Sequence, residues 1–150
     1  MNEVKKNTSQ DSITIVRYTH PQLISRPSDA YLGLLKNWNQ AEISATRQYK
    51  ALLLDKEHRL IAKLSLPKKF HLIKSNIKSA LTHLFDVAKM NGAAEIIIGQ
   101  NSPNNEIIPT AGEKEMAMLI KAAGAEMEMP VSDQIILTES SYYSYKKNGH

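Results

Sequence analysis

The chain has 150 residues, a hydrophobic content of 42%, a formal net charge of +4 and no cysteine. This length suits one domain that buries about two thirds of its unfolded surface. The lack of cysteine excludes both a disulfide framework and a thiolate metal site. The N-terminal region is polar and has no apolar run long enough for a signal peptide or a membrane span, so we expect a cytoplasmic protein with no membrane contact.

Strand and helix patterns alternate from the start of the chain. Period-two alternation predicts a short strand over Ile13–Tyr18. A helix follows with Ser28 as its N-cap, and its core residues are Tyr31, Leu34, Leu35 and Trp38. Two β-rich runs, Gln48–Leu54 and Leu60–Leu66, flank a short polar segment and predict a β-hairpin.

The second half of the chain predicts two longer helices around a buried strand. Ser75 caps the first helix and Gly92 ends it, with Ile77, Leu81, Leu84, Phe85 and Ala88 as its core stripe. The apolar run Ile96–Ile98 is typical of a strand buried on both faces. The second helix starts at Glu113, with Met116, Leu119, Ile120, Ala123 and Met127 facing the core. Ile135–Leu137 and Tyr142–Tyr145 predict a closing hairpin.

These patterns define the domain organisation and the fold class. Residues 1–11 read as a disordered tail, and residues 12–150 as a single domain. Strands that alternate with helices indicate a layered α/β domain. Its edge strands would be compatible with a homodimer.

The charge is distributed unevenly along this domain. No acid occurs between His58 and Phe85, and the segment 59–78 carries six basic residues, Arg59, Lys63, Lys68, Lys69, Lys74 and Lys78. Between Met90 and Ser140 the balance reverses, with eight acids against two lysines. A basic face attracts phosphate groups, so nucleic-acid binding through this segment is one functional alternative, and an ordinary solvated surface is the other.

Ala94–Glu113 is the most informative segment. The apolar strand ends at Gly99 and opens into Gln100-Asn101-Ser102-Pro103. Thr110 follows eight residues after Ser102, and Glu113 three residues after that. At this spacing the chain resembles the RadC-like branch of the JAB/MPN family, which carries His-Asn-His-Pro, then a Ser and an Asp.

The resemblance extends over roughly residues 25 to 146. The run from Tyr49 to Asp55 resembles the paired strands of the family. Asp133–Thr138 with Tyr142–Tyr145 resembles its closing hairpin, although Gln134 stands where the family has His. The resemblance implies a three-layer α/β fold of the cytidine-deaminase type, in which a mixed sheet is flanked by helices.

The resemblance also implies a zinc site whose ligands are replaced. In the family, two His and one Asp hold the metal, and an upstream Glu is the general base. Here Gln100, Ser102 and Glu113 occupy the ligand positions, and the acid-free segment offers no general base. An amide and a hydroxyl are weak, hard ligands that suit zinc poorly.

We therefore expect no bound cofactor and a vestigial pocket formed by Gln100, Ser102, Thr110, Glu113 and Asp133. The leading hypothesis is a non-catalytic, accessory binding protein, with an unknown protein or a nucleic acid as its partner and a link to DNA metabolism through the family. The remaining alternative is a metal-dependent hydrolase with an altered site, in which Ser102, Glu113 and Asp133 act together. The polar residues of the pocket either bind a ligand or form an internal hydrogen-bond network that replaces the ion.

Overall fold

The computed structural model describes the backbone of residues 3–7 and all of residues 13–150. In this part of the chain, seven strands form one sheet in the order β1-β2-β4-β3-β5-β6-β7. The strands are β1 (Glu3–Asn7), β2 (Thr14–Tyr18), β3 (Tyr49–Leu54), β4 (Leu60–Ser65), β5 (Glu95–Asn101), β6 (Val131–Leu137) and β7 (Tyr142–Ser144). The helices are α1 (Pro27–Leu35), α2 (Gln40–Ile43), α3 (Ile77–Met90) and α4 (Ala111–Glu126). The sheet is mixed, because β5 and β6 are parallel and the other neighbours are antiparallel.

Helices cover both faces of the sheet. On one face, α3 and α4 pack Leu84, Phe85 and Ile120 against the sheet in the larger apolar cluster. On the other face, α1 and the segment after it contribute Leu34 and Trp38 to a second cluster. The prediction of a three-layer α/β domain with a mixed sheet is confirmed.

The central strand β5 explains why its sequence is an uninterrupted apolar run. Ile96 and Ile98 belong to the α3–α4 cluster, whereas Ile97 belongs to the α1 cluster. Successive side chains of a strand point to opposite faces, so a strand covered on both sides must be apolar at every position. α4 is the crossover that joins the parallel strands β5 and β6. This connection puts the end of β5 beside the beginning of α4.

The helix ends differ from the sequence-based expectations by a few residues. α1 starts at Pro27 with Arg26 as its N-cap, not Ser28. The N-cap of α3 is Asn76, not Ser75. Gly92 follows the C-cap of α3 and has φ +82°, as expected for the residue after a helix. The short helix α2, which Asn39 caps with its side chain, has no counterpart in the sequence-based assignment.

Residues 3–7 also differ from the expected disordered tail. They form strand β1, which pairs antiparallel with β2 over the whole of its length. Edge strands draw their stability from hydrogen bonds to a neighbour, and the polar local sequence gave no periodic signal for this pairing. The rest of the 1–11 segment lies outside the described residues.

None of the helices in the described part of the chain has the length and apolar character needed to cross a membrane.

Candidate functional site

A cavity of about 270 Å³ opens where β5 ends and α4 begins. Ligand sites of layered α/β domains commonly lie at such strand ends, where loops and helix starts diverge. Its polar lining includes Arg47, Tyr49, Gln100, Thr110, Glu113, Gln134 and Tyr145. Its apolar lining includes Leu72, Ile98, Met116, Ile120 and Ile136. The cavity therefore combines aliphatic walls with a few polar groups.

The start of α4 is fixed by a reciprocal capping box. Thr110 is the N-cap, and its hydroxyl accepts a hydrogen bond from the Glu113 amide at 3.1 Å. The Glu113 carboxylate accepts one in return from the Thr110 amide at 2.9 Å. The arrangement satisfies two backbone donors that a helix start otherwise leaves free. It also holds the Glu113 carboxylate at the helix start, where the helix dipole favours negative charge.

Glu113 contacts two further side chains in the cavity. Gln100 Nε2 donates to Glu113 Oε2 at 3.1 Å, so the end of β5 is tied to the start of α4. Arg47 Nη1 lies 3.6 Å from the same oxygen, and 43% of the Arg47 side chain is exposed. This distance corresponds to a loose ion pair that solvent screens in part. The cavity thus contains a carboxylate and a guanidinium side by side.

The hydrogen bonds of the Asn101 side chain hold the loop that places Arg47 at the cavity. The Asn101 side chain is fully buried, donates from Nδ2 to the carbonyls of Ile43 and Thr46, each at 2.7 Å, and accepts from the Gln48 amide at 2.6 Å. These bonds fix the loop on both sides of Arg47. Asn101 is thus a positioning residue for that loop, and every polar atom of its side chain has a partner, as burial requires.

Two tyrosine hydroxyls complete the polar lining. Tyr49 and Tyr145 line the cavity, and burial is the main cause that raises the pKa of each phenol above its usual value. The Glu113 carboxylate raises both pKa values further, whereas the Arg47 guanidinium lowers that of Tyr49. Both groups therefore stay protonated at neutral pH. Neither hydroxyl makes a hydrogen bond within the described residues, so each is an available donor.

Gln100, Thr110 and Glu113, three of the five residues predicted for the pocket, come together at this cavity. Ser102 does not join them. Its side chain is buried just beyond β5, where the hydroxyl bonds within its own loop, at 2.7 Å from both Asn104 Oδ1 and the Glu106 carbonyl. Ser102 is therefore a residue that shapes the loop after the strand.

Asp133 also lies elsewhere, in a cluster at the end of the chain. Its carboxylate accepts from Ser144 Oγ at 2.6 Å, from the Gln134 amide at 2.7 Å and from the Lys146 amide at 3.0 Å. It borders a different, small cavity, beside His58 and Glu95. The geometry does not bring Ser102, Asp133 and Glu113 into one site, as the altered-hydrolase alternative required.

The donor set of the cavity does not fit zinc. Zinc sites use three or four thiolate, imidazole or carboxylate ligands. Here one carboxylate stands beside amides, hydroxyls and the Arg47 guanidinium. Among the residues that the structure describes, no group of three or more His, Cys, Asp or Glu side chains could hold a metal ion.

Sequence reasoning missed four of the polar residues in this cavity, namely Arg47, Tyr49, Gln134 and Tyr145. Gln134 was noted at a position where the related family has His, and its Nε2 now donates to the Ala117 carbonyl at 2.9 Å, which ties β6 to α4. Strand alternation could have placed Tyr49 on the same face as its antiparallel partner Gln100. Arg47 precedes β3 in a loop, where no periodic signal exists.

The six basic residues of segment 59–78 differ in burial and in ion pairing. Lys63 is buried, and its ammonium donates to the carbonyls of Gly33 and Lys36 at the end of α1, at 3.0 Å and 2.5 Å. Four others lie next to acids: Arg59 by Asp55, Lys68 by Glu42, Lys74 by Glu115 and Lys78 by Glu126. Lys69 is exposed. Each paired acid offsets part of the charge that a phosphate would meet.

A mixed sheet with helices on both faces is consistent with the JAB/MPN class of α/β domain. The model of the RadC-like JAB domain family matches residues 24–150. The chain belongs to this family.

Curated relatives carry the name UPF0758 protein. The one from Flavobacterium johnsoniae is 29% identical over 105 residues, which cover 68% of this chain and 43% of the relative. The one from Thermosynechococcus vestitus is 31% identical over 107 residues, covering 69% and 40%. The one from Actinobacillus succinogenes is 30% identical over 100 residues, covering 65% and 43%. The matched part of the chain thus spans less than half the length of these relatives.

Proposed function

We propose that this chain is a non-catalytic RadC-like JAB domain that acts by binding, as an accessory module, and that it holds no catalytic zinc. The pair formed by Arg47 and Glu113 carries this proposal. A guanidinium lies 3.6 Å from the carboxylate that would have to bind the ion. A divalent cation bound to Glu113 would lie close to this positive charge and would be repelled by it, so a cation at Glu113 is disfavoured.

The other partners of Glu113 support the same conclusion. Its two oxygens accept hydrogen bonds from the Thr110 amide and from Gln100 Nε2. A carboxylate that caps a helix and binds an amide has a structural role that needs no metal. These contacts support a role for Glu113 that does not depend on a metal ion.

Metal analysis of the purified protein tests the proposal. The protein is produced in zinc-supplemented medium, dialysed mildly and analysed by elemental mass spectrometry, and we expect well below one zinc per chain. Hydrolysis of a model peptide is measured in parallel for the wild type, Glu113→Gln and Glu115→Gln, which alters an exposed acid of the same helix. Zinc near one equivalent, or hydrolysis that Glu113→Gln alone abolishes, would contradict the proposal.

Nucleic-acid binding through segment 59–78 gains no support from the side-chain contacts. Lys63 is buried on backbone carbonyls and four of the remaining five basic residues lie beside acids. Binding through phosphates would fall steeply as salt rises. We expect no measurable binding to single- or double-stranded DNA at about 50 mM salt, where phosphate contacts are strong. Tight, salt-sensitive binding that Lys68→Gln with Lys69→Gln removes would restore this alternative.

A further inference from the structure

The charges at the cavity point to a ligand that carries both signs. The guanidinium of Arg47 and the carboxylate of Glu113 sum to zero charge at neutral pH. A simple anion would be attracted by Arg47 but repelled by Glu113. A simple cation would be attracted by Glu113 but repelled by Arg47. A ligand with an ammonium and a carboxylate a few ångströms apart satisfies both side chains at once.

Unused hydrogen-bonding capacity is available for such a ligand. Arg47 has five N–H donors, and its one ion pair, to Glu113, is loose at 3.6 Å. The hydroxyls of Tyr49 and Tyr145 make no hydrogen bond within the described residues, and only 6% of Tyr145 is exposed. Each oxygen of Glu113 accepts one side-chain or backbone hydrogen bond and has a lone pair left.

The walls and the volume define the rest of the ligand. Leu72, Met116, Ile120 and Ile136 present aliphatic and thioether surface. Pockets for drug-sized ligands span about 300–1,000 Å³, so a cavity of about 270 Å³ suits a smaller molecule. An aliphatic side chain would bury its apolar area against these walls.

We propose that this cavity binds a free aliphatic α-amino acid, with its carboxylate on Arg47, its ammonium on Glu113 and its side chain against the wall formed by Met116 and Ile120. Both charged anchors are thereby used, and no chemical step takes place. The inference rests on the proposed function, because it assigns a ligand to the binding module in place of a catalytic ion.

Calorimetric titration tests the assignment with four probes. L-Leucine carries all three features, N-acetyl-L-leucine lacks the ammonium, L-leucinamide lacks the carboxylate, and L-serine lacks the aliphatic side chain. We expect leucine to bind and each other probe to bind at least about tenfold more weakly, as the loss of a charge-assisted hydrogen bond or of apolar burial predicts.

Two variants assign each charge to its side chain. Arg47→Met should lower the affinity for leucine at least about tenfold. It should leave the weak affinity for leucinamide unchanged, because leucinamide has no carboxylate to contact Arg47. Glu113→Gln keeps the capping box and should lower the affinity for leucine. It should leave the affinity for N-acetyl-leucine unchanged, because that probe has no ammonium. Lys121→Gln, on an exposed part of α4, is the matched control and should bind as the wild type does. Thermal unfolding of each variant verifies that it is folded.

The outcomes separate the two proposals. Leucine binding that follows this pattern supports the assignment. Absence of heat with every probe at millimolar concentration, or binding that Arg47→Met and Glu113→Gln leave unchanged, overturns it. Neither result affects the zinc measurement, so the amino-acid ligand can fail while the non-catalytic function stands, whereas zinc near one equivalent per chain would overturn both proposals.

Discussion

The two ends of the unit formed by α4 and β6 differ in how tightly they are packed and in how many of their polar groups are hydrogen-bonded. At the end where α4 passes into β6, Gly124 packs directly against the backbone of Met129, and the buried carboxylate of Asp133 receives three hydrogen bonds. At the end where α4 begins, a Cβ on Gly112 would meet only Thr110 Oγ1, at 4.0 Å. There the polar groups of the cavity keep spare donors and acceptors.

This difference separates structural polar groups from binding groups. Asp133 was expected in the functional pocket because it is an acid in a familiar motif, yet it is buried away from the cavity beside α4 and its carboxylate receives three hydrogen bonds from within the fold. Glu113 and Arg47 form a loose pair beside open volume. A polar side chain whose bonds are all made within the fold stabilises it, whereas one with unused capacity beside a cavity can bind a ligand.

The strongest test at the end where α4 passes into β6 is the substitution Asp133→Ala. The substitution leaves the Ser144 hydroxyl and the amides of Gln134 and Lys146 without their acceptor. The Ser144 hydroxyl is buried and the two amides are partly buried, and an unsatisfied buried group costs about 1–3 kcal/mol, so we expect the free energy of unfolding to fall by about 2 kcal/mol or more. Urea unfolding followed by circular dichroism measures the loss.

Asp86→Ala, on the exposed side of α3, is the control for that change and should alter the free energy of unfolding by less than about 0.5 kcal/mol. If Asp133→Ala were as mild as its control, Asp133 would not be a structural residue, and the comparison between the two ends would fail.

A second test compares two glycines of α4. A Cβ at position 124 would lie 2.6 Å from the Met129 carbonyl oxygen and 2.7 Å from Val131 Cγ2. The backbone there cannot yield cheaply, so Gly124→Ala should lower the free energy of unfolding by about 1–3 kcal/mol, despite the better helix propensity of alanine. Gly112→Ala has open space and should be neutral or stabilising by up to about 1 kcal/mol. Equal effects at the two positions in thermal unfolding would show that both ends are packed alike.

The sequence predicted the layers better than it predicted the cavity. Periodicity identified α3 and β5, because a helix or strand in the core must repeat its apolar residues at a fixed spacing. The Thr110-x-x-Glu113 pattern is itself a capping-box signature, and reading it would have started α4 at Ala111 instead of Glu113. Arg47 was unpredictable, since its place depends on bonds from Asn101, more than fifty residues along the chain.

At the end where α4 begins, two substitutions of Glu113 separate the contribution of helix capping to stability from the contribution of charge. Glu113→Ala removes the acceptor of the Thr110 amide and should cost about 1 kcal/mol in the free energy of unfolding. Glu113→Gln retains one acceptor oxygen for the Thr110 amide but loses the hydrogen bond from Gln100 Nε2 and the loose pair with Arg47, and its cost should stay below about 1 kcal/mol. Urea unfolding of both variants is the measurement. A glutamine variant as unstable as the alanine variant would mean that the contacts of Glu113 with Gln100 and Arg47, not the cap, hold this end of the helix.

The smallest effect at neutral pH is expected for Tyr145→Phe, because the lost hydroxyl makes no hydrogen bond within the described residues. Burial, with the Glu113 and Tyr143 side chains as smaller causes, raises the pKa of Tyr145 in the folded protein. The phenol in the unfolded chain ionises near its usual pKa of about 10. The stability that Tyr145 contributes is therefore complete below about pH 10 and is lost as the pH rises beyond it, since only the unfolded chain then releases the proton. Urea unfolding at about pH 7 and about pH 11 should show the wild type losing stability relative to Tyr145→Phe at the higher pH only. Parallel curves at both values would mean that the Tyr145 phenol is solvated as freely in the fold as in the unfolded chain, and the cavity would then offer no sheltered donor to a ligand.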